Sequence, residues 1–390
     1  MSKSGGRGAS IRSQVEPFRA MSVMAEANRL RAEGRNVLSL AVGQPVSPAP
    51  RAARKAAQAM IAAGPVSYTD AMGRMDLRRA IAAHYETSYG VCVDPARVMI
   101  TTGASGGFNI AFLAGFEAGD EIALASPGYP AYRNIMRALG ITAREIPVGP
   151  EDDYVLTRAH LEDAYAERPF QGVLIASPAN PTGTMTSPDE LGRIADFCRE
   201  TGVRLISDEI YHRLSFGKTE RSVLQDLDEA IILNSFSKYY CMTGWRIGWM
   251  ILPPELVGAA ERLGQNIYIS ASDLSQTAAL AALGAAEELD AVRDSYRPKR
   301  AAMMERLPAI GFRAIAPIDG AFYAYAQIPE AFASATQFAA RLLAEQHVAL
   351  TPGIDFDPLR GDAFVRLSYA GDERDVLEAL ERIDCFVAKG

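Results

Sequence analysis

Between residues 98 and 252 the chain alternates short, unbroken apolar runs with stretches of helical period. The runs at 98–101, 121–125, 142–146, 173–176, 203–207, 231–233 and 247–252 read as short strands. The intervening segments after Pro130, from Arg158 and over 188–200 repeat their apolar positions every three to four residues and read as helices. Unbroken strands alternating with helices predict an α/β fold, with a mostly parallel seven-stranded sheet covered on both faces. Before this region, Phe18, Met21, Met24 and Ala25 place a helix over 18–31 that Gly34 stops. A strand over 37–42 and helices over 48–63 and 75–85 follow, the first helix ended by Gly64-Pro65. Beyond Leu252 the spacing predicts helices over 255–263, 274–289, 291–307, 334–345 and 373–387. Short strands at 312–315, 321–326, 348–350 and 364–367 are interleaved with them.

This pattern divides the chain into a large domain over 48–288 and a smaller α+β domain. The smaller one is built from 16–47 and the C-terminal third, 289–390, behind a polar, Gly/Ser-rich tail over 1–15 expected to be disordered. No apolar run reaches the length of a membrane span, and residues 1–10 lack the apolar core of a signal peptide. With 48% hydrophobic and 22% charged residues the chain can bury a full core. A net charge of -7 without a long basic run excludes a nucleic-acid footprint and leaves small molecules as partners. Cys92, Cys198, Cys241 and Cys385 are far apart, as are His84, His160, His212 and His347. Neither set has metal or redox spacing, so no metal site is expected, and the cysteines read as reduced thiols of a cytoplasmic protein.

In sheets of this kind active sites gather beyond the carboxyl ends of the strands, and the unusual residues lie there. Thr101-Thr102-Gly103-Ala104-Ser105-Gly106-Gly107 follows one strand and precedes an apolar helix, an arrangement that aims unpaired N–H groups at an anion. Pro127-Gly128-Tyr129-Pro130, the run from Ser177 to Gly183, and Asp208-Glu209-Ile210-Tyr211 follow three others. Asn234-Ser235-Phe236-Ser237-Lys238 follows a fourth. A lysine there is either a surface residue of an ordinary loop or an amine desolvated in a cleft and made nucleophilic. Ser235, Ser237 and the downstream Arg246 suit an anion at the same place and favour the second reading. Gly43-Gln44-Pro45 after the strand at 37–42 is either a plain turn or a point of close backbone approach. Asp208, Tyr211, Lys238 and Arg246 together match the needs of a phosphorylated pyridine aldehyde: a carboxylate, a phenol, an amine and a guanidinium.

At these residues the sequence resembles the class I/II aminotransferases, pyridoxal-phosphate enzymes of fold type I related to aspartate aminotransferase. Five motifs carry the resemblance: Ser-Pro-Ala-Asn-Pro-Thr-Gly at 177–183, Ser-Asp-Glu-Ile-Tyr at 207–211, Ser-Phe-Ser-Lys at 235–238, Thr-Gly-Trp-Arg-Ile-Gly at 243–248 and Val-Arg-Leu-Ser-Tyr-Ala at 365–370. Lesser matches at Gly43-Gln44-Pro45, Tyr68, the Gly103 loop and Gly320-Ala321-Phe322-Tyr323 extend it over almost the whole chain.

The resemblance implies an aminotransferase that moves an amino group from an L-amino acid to a 2-oxo acid by a ping-pong mechanism. It implies that Lys238 carries pyridoxal 5'-phosphate as a Schiff base and shuttles the substrate proton, with Asp208 keeping the pyridine nitrogen protonated. Tyr211 and Asn180 would bond the ring oxygen, and Tyr129 would stack on the ring. Arg246, Ser235, Ser237 and the Gly103, Ala104 and Ser105 segment would hold the phosphate. Arg366 would clamp the substrate carboxylate, with Asn180 and the Gly43 backbone beside it. Tyr68 would reach the phosphate of a neighbouring subunit, which implies a homodimer with shared active sites. His212 and Trp245 read as structural. Ser105 and glycines stand where some aspartate-type relatives place a lysine that reads an acidic side chain, and Gly128-Tyr129-Pro130 is closer to alanine- and aromatic-type branches. The substrate is thereby left open. Two other readings stand beside this one: a C–S lyase or synthase of the same fold, and a cofactor-binding regulator with a degenerate site.

Overall fold

The structure, a computed structural model, describes residues 8–389. Its strands, in chain order, are β1 (Leu38–Ser39), β2 (Val98–Thr101), β3 (Glu121–Ser126), β4 (Thr142–Pro147), β5 (Gly172–Ala176) and β6 (Arg204–Asp208), followed by β7 (Ile231–Ser235), β8 (Gly248–Ile251), β9 (Tyr323–Gln327), β10 (Val348–Ala349), β11 (Thr351–Pro352) and β12 (Phe364–Ser368). Seven of them form one sheet in the order β2-β8-β7-β6-β5-β3-β4, the seven-stranded sheet expected. It is parallel except at β8, which runs antiparallel to both neighbours.

Side chains alternate across a strand, so a sheet covered on both faces must supply two cores from the same strands. Met99, Leu174, Ile206, Leu233 and Met250 enter one core, with Phe108 and Phe112 of the helix Gly103–Gly115 and Leu256 of Pro254–Ile267. Ile100, Val173, Ile175, Leu205, Ile232 and Ile251 enter the other, with Leu77 and Ile81 of Met75–Tyr89 and Leu191 and Ile194 of Pro188–Thr201. Fully burying each such side chain contributes about 1.5–3 kcal/mol, and the sheet sits rigidly between the two layers.

The remaining strands form smaller sheets. β12 pairs antiparallel with β9 and β11, setting Arg366 opposite Tyr325 and Thr351. β1 pairs parallel with β10, which ties the segment after the first helix to the C-terminal third. Among the described residues no helix is long and apolar enough to cross a membrane.

Several expected boundaries move, each for a local reason. The small-residue stretch 101–107, read as a loop, already turns into helix at Gly103. The strand expected over 37–42 pairs only at Leu38–Ser39, and the one over 312–315 is a single bridge from Arg313 to Gln327. The helices expected over 274–289 and 291–307 are instead Asp273–Leu283, Ala286–Asp294 and Tyr296–Ile310. Gly284 interrupts the first. Pro298 lies within a first turn, where its missing N–H has no intrahelical partner to lose, and the last helix restarts two residues before it. Of the tail over 1–15, residues 1–7 lie outside the described part, and Ile11–Ser13 forms one 3-10 turn.

Candidate active site

Four parallel strands end beside one another and deliver their following residues to one cavity of about 210 Å³. β3 leads to Tyr129, β5 to Asn180, β7 to Lys238, and β6 ends on Asp208 itself. Ala104 and Ser105, in the first turn of the helix after β2, line the same cavity, as does Tyr211. The smaller sheets close it from the other side with Arg366 of β12 and with Gly43 beyond β1. Gly43 is required by packing: a Cβ there would lie 1.7 Å from the Tyr323 hydroxyl oxygen. That hydroxyl shares a 2.7 Å hydrogen bond with the hydroxyl of Tyr211.

Asp208 is buried, and its carboxylate accepts from the Tyr132 hydroxyl and, at 3.1 Å, from the Ile210 N–H. Burial pushes its carboxyl up to about 6, against the lowering effect of the Tyr132 hydrogen bond. Lys238 donates through Nζ to the Gly43 carbonyl at 2.7 Å. Burial holds its amine below the ordinary lysine value, with Arg366 and Arg246 adding and Tyr323 and Asp208 opposing. Arg366 donates to Asn180 Oδ1 at 2.8 Å and to the Ala41 carbonyl at 2.6 Å, and lies 4.5 Å from the Tyr323 ring centre. Its Nε is buried and has no hydrogen-bond partner among the described residues. Thus each charge in the cavity is bonded only to neutral groups. Buried charges left so are unfavourable by several kcal/mol each, so the arrangement suits a ligand with complementary charges.

The remaining residues expected at the site lie around the cavity at different depths. Gly103 has φ +77, and a Cβ there would lie 2.6 Å from Arg246 Nη2, so the glycine lets the guanidinium approach the helix start. Arg246 is exposed and donates to the Thr243 carbonyl at 3.1 Å. Ser235 and Ser237 are buried beneath the rim, their hydroxyls 2.9 Å apart, with Ser235 also donating to the Ile247 carbonyl. Tyr68 does not line the cavity and is 79% exposed. Burial pushes the Tyr129 phenol up to about 12. His212 is buried, 2.7 Å from the Tyr89 hydroxyl, outside the cavity. Trp245 closes a 3-10 turn.

Tyr132, Tyr323, Phe356, Asp355 and the pair Phe18 and Met21 also line the cavity, and none was nominated from sequence. Tyr129 and Tyr132 lie three residues apart at the start of the helix Pro130–Leu139, spacing that puts both on one helical face. That spacing was the available signal for Tyr132.

The family profile described as aminotransferase class I and II matches residues 35–383. A valine–pyruvate aminotransferase of Mycobacterium tuberculosis is 46% identical over 96% of this chain and 97% of its own length. The crystal structure of an aminotransferase from Mycobacterium tuberculosis superposes with TM-score 0.96 at 44% identity, covering 98% of this chain and all of that one. The aspartate aminotransferase of Thermus thermophilus with maleate gives 0.91 at 31% identity, covering 97% and 99%.

Proposed function

The chain belongs to the aminotransferase class I and II family and moves an amino group between an amino acid and a 2-oxo acid; on that premise we propose that its cavity takes pyridoxal 5'-phosphate and the substrate in turn. The observation that carries this is the set of buried charges bonded only to neutral groups: a carboxylate, an amine and a guanidinium around one cavity. The residues present fit the group. Asp208 would pair with a cationic ring nitrogen, and that pairing would offset the unfavourable burial of its charge. Asn180 and Tyr211 are donors for a ring oxygen, and Tyr129 supplies an aromatic face. The first turn of Gly103–Gly115 with Ser105, Arg246, Ser235 and Ser237 forms the phosphate end, where helix N–H groups and a guanidinium favour an anion. When bound, the cofactor supplies an electrophilic aldehyde and an electron-accepting ring.

The chain's own groups do the rest. Arg366 takes the α-carboxylate of the substrate through the guanidinium edge whose Nε lacks a partner. Lys238, its amine favoured in the neutral form by burial, is the nucleophile and then carries the proton to and from the substrate α-carbon. The Gly43 carbonyl at 2.7 Å fixes the direction of Lys238 Nζ. Substitution Lys238→Ala is expected to abolish the visible absorbance gained on adding pyridoxal 5'-phosphate and to lower turnover by at least ~10⁴-fold, the upper range for a positioned proton-transfer group. Retained absorbance and turnover in that variant would sink the reading.

The proposal extends to assembly. Ile61, Val66, Tyr68, Ile267 and Ile269 are 46–79% exposed, an apolar set that a second copy of this chain would cover in a homodimer. The proposal keeps a large domain over 48–288 and a smaller one from 16–47 and 289–390, a reading supported by the separation of the seven-stranded sheet from the two smaller ones. A cytoplasmic location agrees with four cysteines left as free thiols.

A further inference from the structure

Among the cavity walls not used by the groups above, Phe18, Ala20, Met21, Val42 and Phe356 form an apolar set contributed by the N-terminal segment and the C-terminal third. Asp355 completes them, and it is buried. Its two carboxylate oxygens accept from the Arg19 and Ala20 N–H groups, each at 2.9 Å. Those are the first two N–H groups of the helix Arg19–Ala32, which have no partner inside the helix. Asp355 is therefore a helix cap supplied from 335 residues away. It joins the N-terminal helix to the loop after β11 exactly where both face the cavity.

We propose that Asp355 latches residues 18–21 as the wall of the substrate side-chain compartment, and that this wall selects amino acids with small or medium apolar side chains over those with a second carboxylate. The inference rests on Arg366 as the α-carboxylate clamp. Among the cavity-lining residues the cations are Lys238 and Arg366, both engaged at the reacting end. A distal carboxylate would meet these apolar walls and the Asp355 carboxylate, and this chain's own lining leaves it no free cation to replace its water. Asp355 is a positioning residue: it acts on substrate through Phe18, Ala20 and Met21.

The test uses the holoenzyme with pyruvate as common acceptor. Values of kcat/KM for L-alanine, L-valine and L-leucine are compared with those for L-aspartate and L-glutamate, in the parent and in Asp355→Asn and Ala20→Val. The best apolar donor is expected to exceed L-aspartate by about 100-fold. Asp355→Asn keeps the shape and loses the charge; KM for L-valine should rise about tenfold with kcat within about threefold, and hydrogen exchange at the Arg19 and Ala20 amides should quicken. Ala20→Val, which narrows the compartment through its side chain while keeping the backbone N–H that Asp355 accepts from, should depress L-leucine more than L-alanine. A preference for L-aspartate or L-glutamate, or unchanged KM and exchange in Asp355→Asn, would overturn the inference alone. Apolar turnover indifferent to Arg366→Gln would instead remove the clamp on which it rests.

Discussion

The floor of the cavity and its rim are built differently. On the floor, Asp208, Tyr132, Tyr211, Tyr323, Asn180 and Arg366 are all less than a tenth exposed, and their hydrogen bonds are made within the chain. At the rim Arg246 and Ser105 are exposed, and Tyr68 stands away from the cavity altogether. A buried polar group must be oriented by the fold, because water is not there to compensate an error. An exposed one can wait for a ligand or a second chain. The floor is thus the preorganised half, where charge is held ready against the preference of its surroundings, and the rim is the half that the proposed homodimer completes.

The floor is tested hardest at Arg366. Replacement by Gln removes the charge while leaving an amide able to reach Asn180 or Ala41, so the fold should survive. Losing one partner of a buried charge pair costs about 2–5 kcal/mol, and kcat/KM for amino acids should fall by about 10²–10³-fold. Primary amines without a carboxylate should react equally with parent and variant. Steady-state kinetics on the two substrate classes checks both; an equal loss on both would show that Arg366 supports the floor without reading the carboxylate.

A smaller effect concerns Asp208 in the cofactor-free protein. Its folded carboxyl is raised to about 6 against an ordinary value near 3.8. Between these values the folded state binds the extra proton, so stability attributable to this group is complete below about 3.8 and is lost as pH rises through 6. The penalty at neutral pH is on the order of 3 kcal/mol. Asp208→Asn should therefore melt at a higher temperature than the parent at pH 8 when both lack cofactor, and the gap should close toward pH 4. Added cofactor should reverse the order at pH 8, because the parent alone pairs a charge with it. A gap independent of pH would show that burial of the charge is not what the substitution relieves.

The same contrast explains what could be read from the sequence. Lys238, Asp208 and Asn180 end or follow strands whose apolar runs are unbroken, and a strand end fixes the position of its next residues regardless of what lies far along the chain, while Arg366 stands inside the short strand Phe364–Ser368. Tyr132 and Asp355 were not visible because their meaning is a partner: Asp208 lies 76 residues from the first, and the amides of Arg19 and Ala20 lie more than 330 from the second. Periodicity does place Phe18 and Met21 on a helix, but which surface that helix covers depends on the pairing of β1 with β10. Helix breaks at Gly284 and before Pro298 follow local chemistry, yet around Gly284 the alanine-rich flanks gave the periodic pattern little contrast by which to locate the break.

At the rim the expected effect is smallest and the sign of the comparison is at stake. Tyr68 is 79% exposed with Ile61, Val66, Ile267 and Ile269 also open to solvent. If its hydroxyl serves a phosphate in a second copy, Tyr68→Phe removes one hydrogen bond to an anion, worth about 1.5–3 kcal/mol. Cofactor affinity should then weaken by about 10–100-fold, with kcat at saturating cofactor nearly unchanged. In a monomer the same change touches only water and should do nothing. Measuring cofactor affinity by absorbance titration, alongside the mass in solution by light scattering, separates the cases. Ile267→Asp adds a charge to the apolar set without entering the cavity. It should lower the mass toward one chain and weaken the cofactor to the level of Tyr68→Phe, so that adding Tyr68→Phe to it changes nothing more. Full additivity of the two substitutions would place Tyr68 in its own chain's site, and the rim would then be complete without a partner.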